Sequence, residues 1–260
     1  MAAIEVRGVT KVYALGDRRL GAVQDMTFRI GSGEFVALVG QSGCGKSTTL
    51  DLISGLEACT AGAIEVEGRR VVPGERGGPR IGFVFQQPRL LPWKTVSGNA
   101  EYALAGTDIS RPRWRELLAQ YTDLVGLTGF EQAYPRQLSG GMQARAALLR
   151  AYVIEPDVLL MDEPFSGLDE ITARRMRDEV VRLWQKTQRT TLLVTHSISE
   201  AATLAQRVLV LTARPGRVFA EHAVLLPYPR PIFDAARLPI EQAILASLES
   251  ALASTPSERS

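Results

Sequence analysis

Apolar residues recur along this chain in two rhythms. Short runs at 4–6, 23–30, 35–39, 64–66, 81–85, 158–161, 191–194, 208–211 and 218–219 predict strands, and several are unbroken, the pattern of strands covered on both faces. Helical spacing appears at 46–54, 112–125, 141–153, 173–186 and 198–205. The later half therefore alternates strand and helix, which implies a parallel sheet, whereas the denser early strands predict antiparallel pairing. Residues 96–138 carry no strand pattern and are punctuated by Pro112, Gly126, Gly129 and Pro135, so they predict an inserted helical subdomain, bounded at about 96–156. The expected fold class is α/β: a parallel-sheet core, an antiparallel β subdomain and this helical insert, all within residues 1–226. A tail at 227–260 opens on Pro227-Tyr-Pro-Arg-Pro, predicts a helix near 238–252 and ends in a Ser/Pro-rich stretch expected to fray.

Composition narrows the class. The chain has 260 residues, 45% of them hydrophobic and 22% charged, enough for a full core in one domain. Its 30 basic and 28 acidic residues leave a formal net charge of +2, so no overall field attracts nucleic acid, and no nucleic-acid partner is expected. Cys44 and Cys59 cannot build a disulfide framework, which favours a reducing compartment. No apolar stretch reaches the ~20 residues that span a bilayer, and Met1-Ala-Ala-Ile-Glu-Val-Arg7 lacks the pattern of a secretory signal. A chain that neither crosses a membrane nor leaves the cell is expected.

The most informative stretch is Gly40-Gln41-Ser42-Gly43-Cys44-Gly45-Lys46-Ser47-Thr48, between the apolar run 35–39 and Thr49-Leu-Asp-Leu-Ile53. It matches GxxxxGK[ST] with a strand before it and a helix after it. Glycines let backbone N–H groups approach a polyphosphate, the helix N-terminus adds positive dipole, and Lys46 can reach the β- and γ-phosphates. Binding of a nucleoside triphosphate follows.

Turnover needs more, and the strand at 158–161 supplies it by ending in Asp162-Glu163-Pro164. Carboxylates at the C-terminal end of a buried strand stand where ligands of open α/β sheets collect. Asp162 suits Mg²⁺ held through water while Ser47 ligates the ion directly, and Glu163 can polarise the attacking water. Leu138-Ser139-Gly140-Gly141-Met142 opens a helix, with Ser139 as its expected N-cap and two glycines baring backbone N–H groups: a second anion site.

Together these three segments resemble the ATPase subunits of ABC transporters, over about residues 4–222. The resemblance implies that the Ser139 segment contacts the γ-phosphate of ATP held by another subunit, in a head-to-tail homodimer enclosing two nucleotides. It also implies roles for single residues. Gln86 matches the glutamine that senses Mg²⁺ and the γ-phosphate, ahead of its neighbour Gln87. Ser166-Gly-Leu-Asp169 matches the D-loop, with Gly167 where alanine is more usual, and His196 matches the histidine that donates to the γ-phosphate. Tyr13 matches the aromatic that stacks on adenine. Met142 replaces the usual glutamine, and Gln143-Ala144 the usual Arg-Gln before Arg145. The backbone donors survive those changes, so hydrolysis is expected to survive. His222 has no such context and is expected to be solvated or structural.

Pro88-Arg-Leu-Leu-Pro-Trp93, Thr212-Ala-Arg-Pro-Gly-Arg217 and Leu226-Pro-Tyr-Pro-Arg230 resemble segments of the nitrate, sulfonate and taurine importers. That implies an importer of a small anionic solute, working at the cytoplasmic face of the membrane with integral membrane permease subunits and a periplasmic or lipid-anchored solute-binding protein. An exporter ATPase and a soluble, non-transport ABC ATPase are the alternatives. The tail is too short for the regulatory barrel of some sugar-importer ATPases. An exposed Leu90-Leu91-Pro92-Trp93 would offer a greasy contact to a short helix of a membrane subunit; the same residues could instead fill a core beneath the helical insert.

Overall fold

The computed structural model describes residues 2–16, 18–75, 77–230 and 235–253; the Ser/Pro-rich stretch expected to fray lies outside them. The chain divides into two compact units, one of residues 1–78 and 190–260, the other of 79–189.

In the first unit, β1 (Ala2–Leu15), β2 (Arg18–Gly31), β4 (Ala61–Val66) and the short β5 (Arg69–Arg70) form an antiparallel sheet in the order β2-β1-β4-β5. The expected early strands are present but much longer, because β1 and β2 go on pairing as far as Leu15 and Arg18 while register shifts around Val9 and Lys11 break the apolar alternation. A second group holds β3 (Phe35–Val39), β8 (Thr190–Thr195), β9 (Arg207–Leu211) and β10 (Val218–Ala223). β3 lies between β8 and β9, parallel to both, and β10 closes antiparallel on β9. All five residues of β3 and all six of β8 are buried, as strands covered on both faces must be. Helices α1 (Lys46–Ile53), α6 (Ile198–Leu204) and α7 (Leu238–Ala253) belong to this unit.

The second unit holds two parallel strands, β6 (Ile81–Val84) and β7 (Val158–Asp162), with helices α2 (Val96–Leu104), α3 (Arg111–Leu124), α4 (Gly140–Tyr152) and α5 (Glu170–Thr187). Residues 96–138 are helical and carry no strand. Thr95 caps α2 by accepting from Gly98 N at 3.0 Å. Asp169 caps α5 by accepting from Thr172 N at 3.0 Å, so that helix begins three residues ahead of its apolar periodicity. Leu117, Tyr121, Leu148, Leu149 and Tyr152 are buried here. Among the described residues no helix is long and apolar enough to cross a membrane.

Candidate functional site

Register places the functional segments of each unit. In the first unit Val39 pairs with Thr195 in the β3–β8 ladder. The glycine-rich loop that follows Val39 and His196, which follows Thr195, thus leave adjacent parallel strands at one level. In the second unit Val84 pairs with Met161. Gln86 and the pair Asp162-Glu163 therefore leave adjacent strand ends together as well. Strand β6 stops at Val84, one residue earlier than expected, and both Gln86 and Gln87 are exposed.

The glycine-rich loop is held from behind. Gly45 has φ 100° and caps α1; a Cβ there would come within 2.5 Å of the Ala22 carbonyl oxygen. Gly216 is wedged against the loop's other flank, donating to Ala22 O and accepting from Gln24 N, both at 3.0 Å. A Cβ on Gly216 would fall far inside contact distance of the Cys44 carbonyl oxygen. The Arg-Pro-Gly segment that marked the importer resemblance is thus a backstop for the glycine-rich loop. Its turn is closed by Thr212, whose Oγ1 donates to Pro215 O at 3.1 Å and accepts from Arg217 N at 3.0 Å.

Within the loop, the Lys46 ammonium is buried and donates to Gly40 O at 2.9 Å and Gln41 O at 3.1 Å. Gln41, Ser42, Gly43 and Ser47 are exposed, Thr48 is half-buried, and Gly40 is buried. Cys44 faces inward with its thiol buried, and burial pushes the thiol pKa above its ordinary value against the opposing Lys46 charge. Only the Cys44 backbone can take part in the cradle. Tyr13 is half-buried in the β1–β2 ribbon opposite Leu20, with the Lys11 ammonium 4.7 Å from its ring centroid. Lys11 is itself fixed by Glu57 at 2.6 Å and Ala58 O at 2.8 Å.

His196 is exposed in the turn between β8 and α6. The residues around it are interlocked: Thr195 Oγ1 donates to Glu200 Oε2 at 2.6 Å and accepts from Ser197 N at 3.0 Å, and Ser197 caps α6 by accepting from Glu200 N at 3.2 Å. His222, in β10, meets Ser247 Oγ at 2.9 Å and is structural.

In the second unit Glu163 takes φ 43°, a left-handed conformation that costs a non-glycine residue about 1 kcal/mol or more. Ser166 pins it, donating to the Glu163 carbonyl through N at 3.1 Å and Oγ at 2.9 Å. Ser139 caps α4 as expected, accepting from Met142 N at 3.3 Å. Ser139 and Gly140 are exposed. Gly141 lies so close to α5 that a Cβ would meet Thr172 Cγ2 at 2.7 Å, and one on Gly140 would touch Leu168 at 3.8 Å. The Ser139 segment and the D-loop are therefore neighbours. The bond from the Thr172 side chain holds the Asp169 carboxyl below its usual pKa.

Two residues of this unit escaped the sequence reading. Asn99, buried on the apolar face of α2, accepts from Leu91 N at 2.7 Å and donates to Leu91 O, Lys94 O and Thr95 O at 2.9–3.2 Å. Arg150, near the end of α4, donates to Arg89 O at 2.6 Å and Pro88 O at 2.9 Å. The signal was an amide in the apolar spacing Val96, Ala100, Leu104 and an arginine closing an Ala/Leu-rich helix. Both fix the segment after Gln86. On it Trp93 is 70% exposed, which excludes a core role, while Leu90 and Leu91 are half-buried and not exposed as expected. Phe83, Phe85, Leu91 and Tyr102 line an adjoining groove of about 260 Å³.

The family model described as ABC transporter matches residues 23–166. The chain belongs to that family. It is an ATP-hydrolysing cassette of the α/β P-loop class. It is 42% identical to the "Nitrate import ATP-binding protein NrtD" of Synechocystis sp., covering 86% of this chain and 83% of that one. It is 38% identical to the "Aliphatic sulfonates import ATP-binding protein SsuB" of Bacillus licheniformis, covering 95% of each. The ATP-binding cassette MJ0796, solved as a dimer in a post-hydrolysis state bound to ADP and Pi, superposes with a TM-score of 0.75 at 29% identity, over 86% of this chain and all of that one.

Proposed function

We propose that this ABC cassette is the ATP-hydrolysing subunit of a membrane importer for a small anionic solute of the nitrate, sulfonate, taurine or bicarbonate kind. The reading is carried by the phosphate loop: a buried lysine held by the loop's own carbonyls, ready to exchange them for phosphate oxygens, on a strand adjacent to the one that delivers His196. The names of the relatives support import of an oxyanion over export or a soluble role.

Each residue has a task in this reading. The N–H groups of Gly43, Cys44, Gly45, Lys46, Ser47 and Thr48 cradle phosphates beside Gly40, Gln41 and Ser42, and Lys46 neutralises the β- and γ-oxygens. The free face of Tyr13 stacks on adenine. Glu163 accepts a proton from the attacking water, and His196 donates to the γ-phosphate. Mg²⁺ fits the hard oxygen donors available, with Ser47, Asp162 and Gln86 as the residues that would hold it. Among the described residues no group of three or more His, Cys, Asp or Glu could hold a metal by itself. The bound ion would neutralise charge developing on the transferred phosphoryl group.

Ser139, Gly140 and Gly141 act on the nucleotide of the partner subunit in a homodimer. The dimer works at the cytoplasmic face of the membrane beneath two permease subunits, fed by a solute-binding protein. Within the chain, residues 1–226 form the cassette with its helical subdomain at 96–156, and 227–260 form the tail.

The deciding experiment reconstitutes the complex with its binding protein and measures ATP hydrolysis against candidate solutes. Stimulation by an oxyanion confirms the class; stimulation without any binding protein, or none by any anion, refutes it. Mixing Lys46→Ala with Ser139→Arg subunits tests site sharing. Heterodimers with one intact site should recover activity above either mutant alone.

A further inference from the structure

The tail reaches back to the helix that follows His196. Helix α6 has seven residues, under two turns, and cannot hold itself in place. Its C-terminal carbonyls are taken by Arg230 and Tyr228: Arg230 donates to Ala202 O at 3.2 Å and to Ala205 O, while Tyr228 Oη donates to Leu204 O at 2.7 Å. The same guanidinium bonds Leu226 O at 2.9 Å and Val224 O at 3.0 Å and lies 4.0 Å from the Tyr228 ring centroid. A cation at the negative end of a helix is favourable, and multiple acceptors offset the cost of burying it. The first turn is taken by Arg237, 1% exposed, which donates to Ser199 O at 3.0 Å and Ser199 Oγ at 2.7 Å and pairs with Glu241 of α7.

Ser199 is three residues beyond His196, and the Thr195–Ser197–Glu200 network makes the turn that carries His196 move as one piece with α6. We propose that Arg237 and Arg230 are positioning residues for hydrolysis: the tail braces α6 at both ends and thereby sets where the His196 imidazole stands. This rests on the role given to His196 above. Two buried arginines on a helix this short are more than its packing needs. Ala201, Ala202 and Leu204 already bury its apolar side. A misplaced hydrogen-bond donor slows the chemical step and spares binding, because substrate affinity comes mainly from the phosphate loop.

The test uses the full chain with MgATP, following single-turnover hydrolysis, KM and thermal stability. Arg237→Ala should lower the hydrolysis rate about tenfold with KM changed less than about twofold, and Arg237→Lys should recover part of the loss. In a His196→Ala background, Arg237→Ala should slow hydrolysis no further while still lowering Tm. If the two losses multiply, Arg237 does not act through His196 and the brace is refuted while the histidine's role stands. If only Tm falls, the arginine is structural and the proposal also fails. If His196→Ala itself hydrolyses at the wild-type rate, the histidine assignment falls and takes the brace with it. Should Arg237→Ala not fold, Ser199→Ala, which removes one acceptor, is judged by the same pattern: a rate loss of about two- to threefold that vanishes in the His196→Ala background.

Discussion

Val39 and Thr195 face each other across the parallel ladder between β3 and β8, and their successors Gly40 and His196 begin the phosphate loop and the proposed γ-phosphate contact. A single register thus fixes two functional groups far apart in sequence. A one-residue slip would turn every side chain of β8 to its opposite face and carry His196 out of level with Gly40. Strands that are buried along their whole length have the least freedom to slip, so the site inherits its precision from the core.

Glu163 is expected to be the base. Its left-handed backbone, pinned twice by Ser166, is local strain stored where chemistry is proposed. Glu163→Gln keeps shape and hydrogen-bonding reach but cannot take a proton. Turnover should drop about 10²-fold or more with ATP affinity unchanged, and an ATP-bound dimer should accumulate on gel filtration. Hydrolysis near the wild-type rate would assign the base elsewhere.

Gly216→Ala should weaken ATP binding although residue 216 is no part of the phosphate loop. The new methyl would have to displace the Cys44 carbonyl, which is backbone and cannot rotate away. Moving the loop by a fraction of an ångström misaligns its N–H donors. The expected result is a Kd for ATP raised about tenfold or more, with a stability loss of about 1–3 kcal/mol by denaturant titration. An unchanged Kd would show that the loop absorbs the methyl without moving.

Much of this was legible in the chain. Phe35–Val39 and 158–161 read as buried strands because both faces are covered and no polar residue interrupts them. The turn from β3 into α1 and the Ser139 cap of α4 were readable because glycines and a capping serine mark helix starts in the sequence itself. The long β1 and β2 were seen only in part, since register shifts around Val9 and Lys11 break the alternation that marks a strand. Asn99, Arg150, Gly216 and Arg237 left no periodic trace. Each acts through backbone atoms of a segment distant in sequence, and only the fold brings those partners together.

Cys44 provides a pH-dependent test of the loop. Its folded pKa is raised by burial, so the folded state holds the thiol proton more tightly than the unfolded chain does. This contribution to stability is complete below the unfolded thiol pKa of about 8.5 and is lost as pH rises above it. Wild type should therefore lose stability relative to Cys44→Ala as pH rises above about 8.5, measured by urea midpoints. Iodoacetamide at pH 8 should label Cys59 and spare Cys44 in the native protein. Rapid labelling of Cys44 would mean that the loop opens far more often than its packing allows.

Trp93 gives the clearest test of assembly. It is 70% exposed on a segment whose backbone is fixed by Asn99 and Arg150, so an apolar ring stands in solvent on an ordered backbone near the groove lined by Phe85 and Tyr102. Order in the free subunit lowers the entropy lost on binding, which suits an anchor residue. Trp93→Ala should leave the Tm of the isolated subunit within about 1–2 °C, since an exposed ring contributes little to folding. Affinity for the membrane subunits should fall by about 2 kcal/mol, roughly thirtyfold, in a co-purification or titration assay. Asn99→Ala separates rigidity from contact: it keeps the ring and frees the loop, so it should weaken assembly as well, but together with a stability loss of about 1–3 kcal/mol from the unpaired backbone groups. A Trp93→Ala subunit that assembles normally would move the docking surface away from this segment. A large fall in its Tm with assembly unchanged would give the ring a folding role that its exposure contradicts.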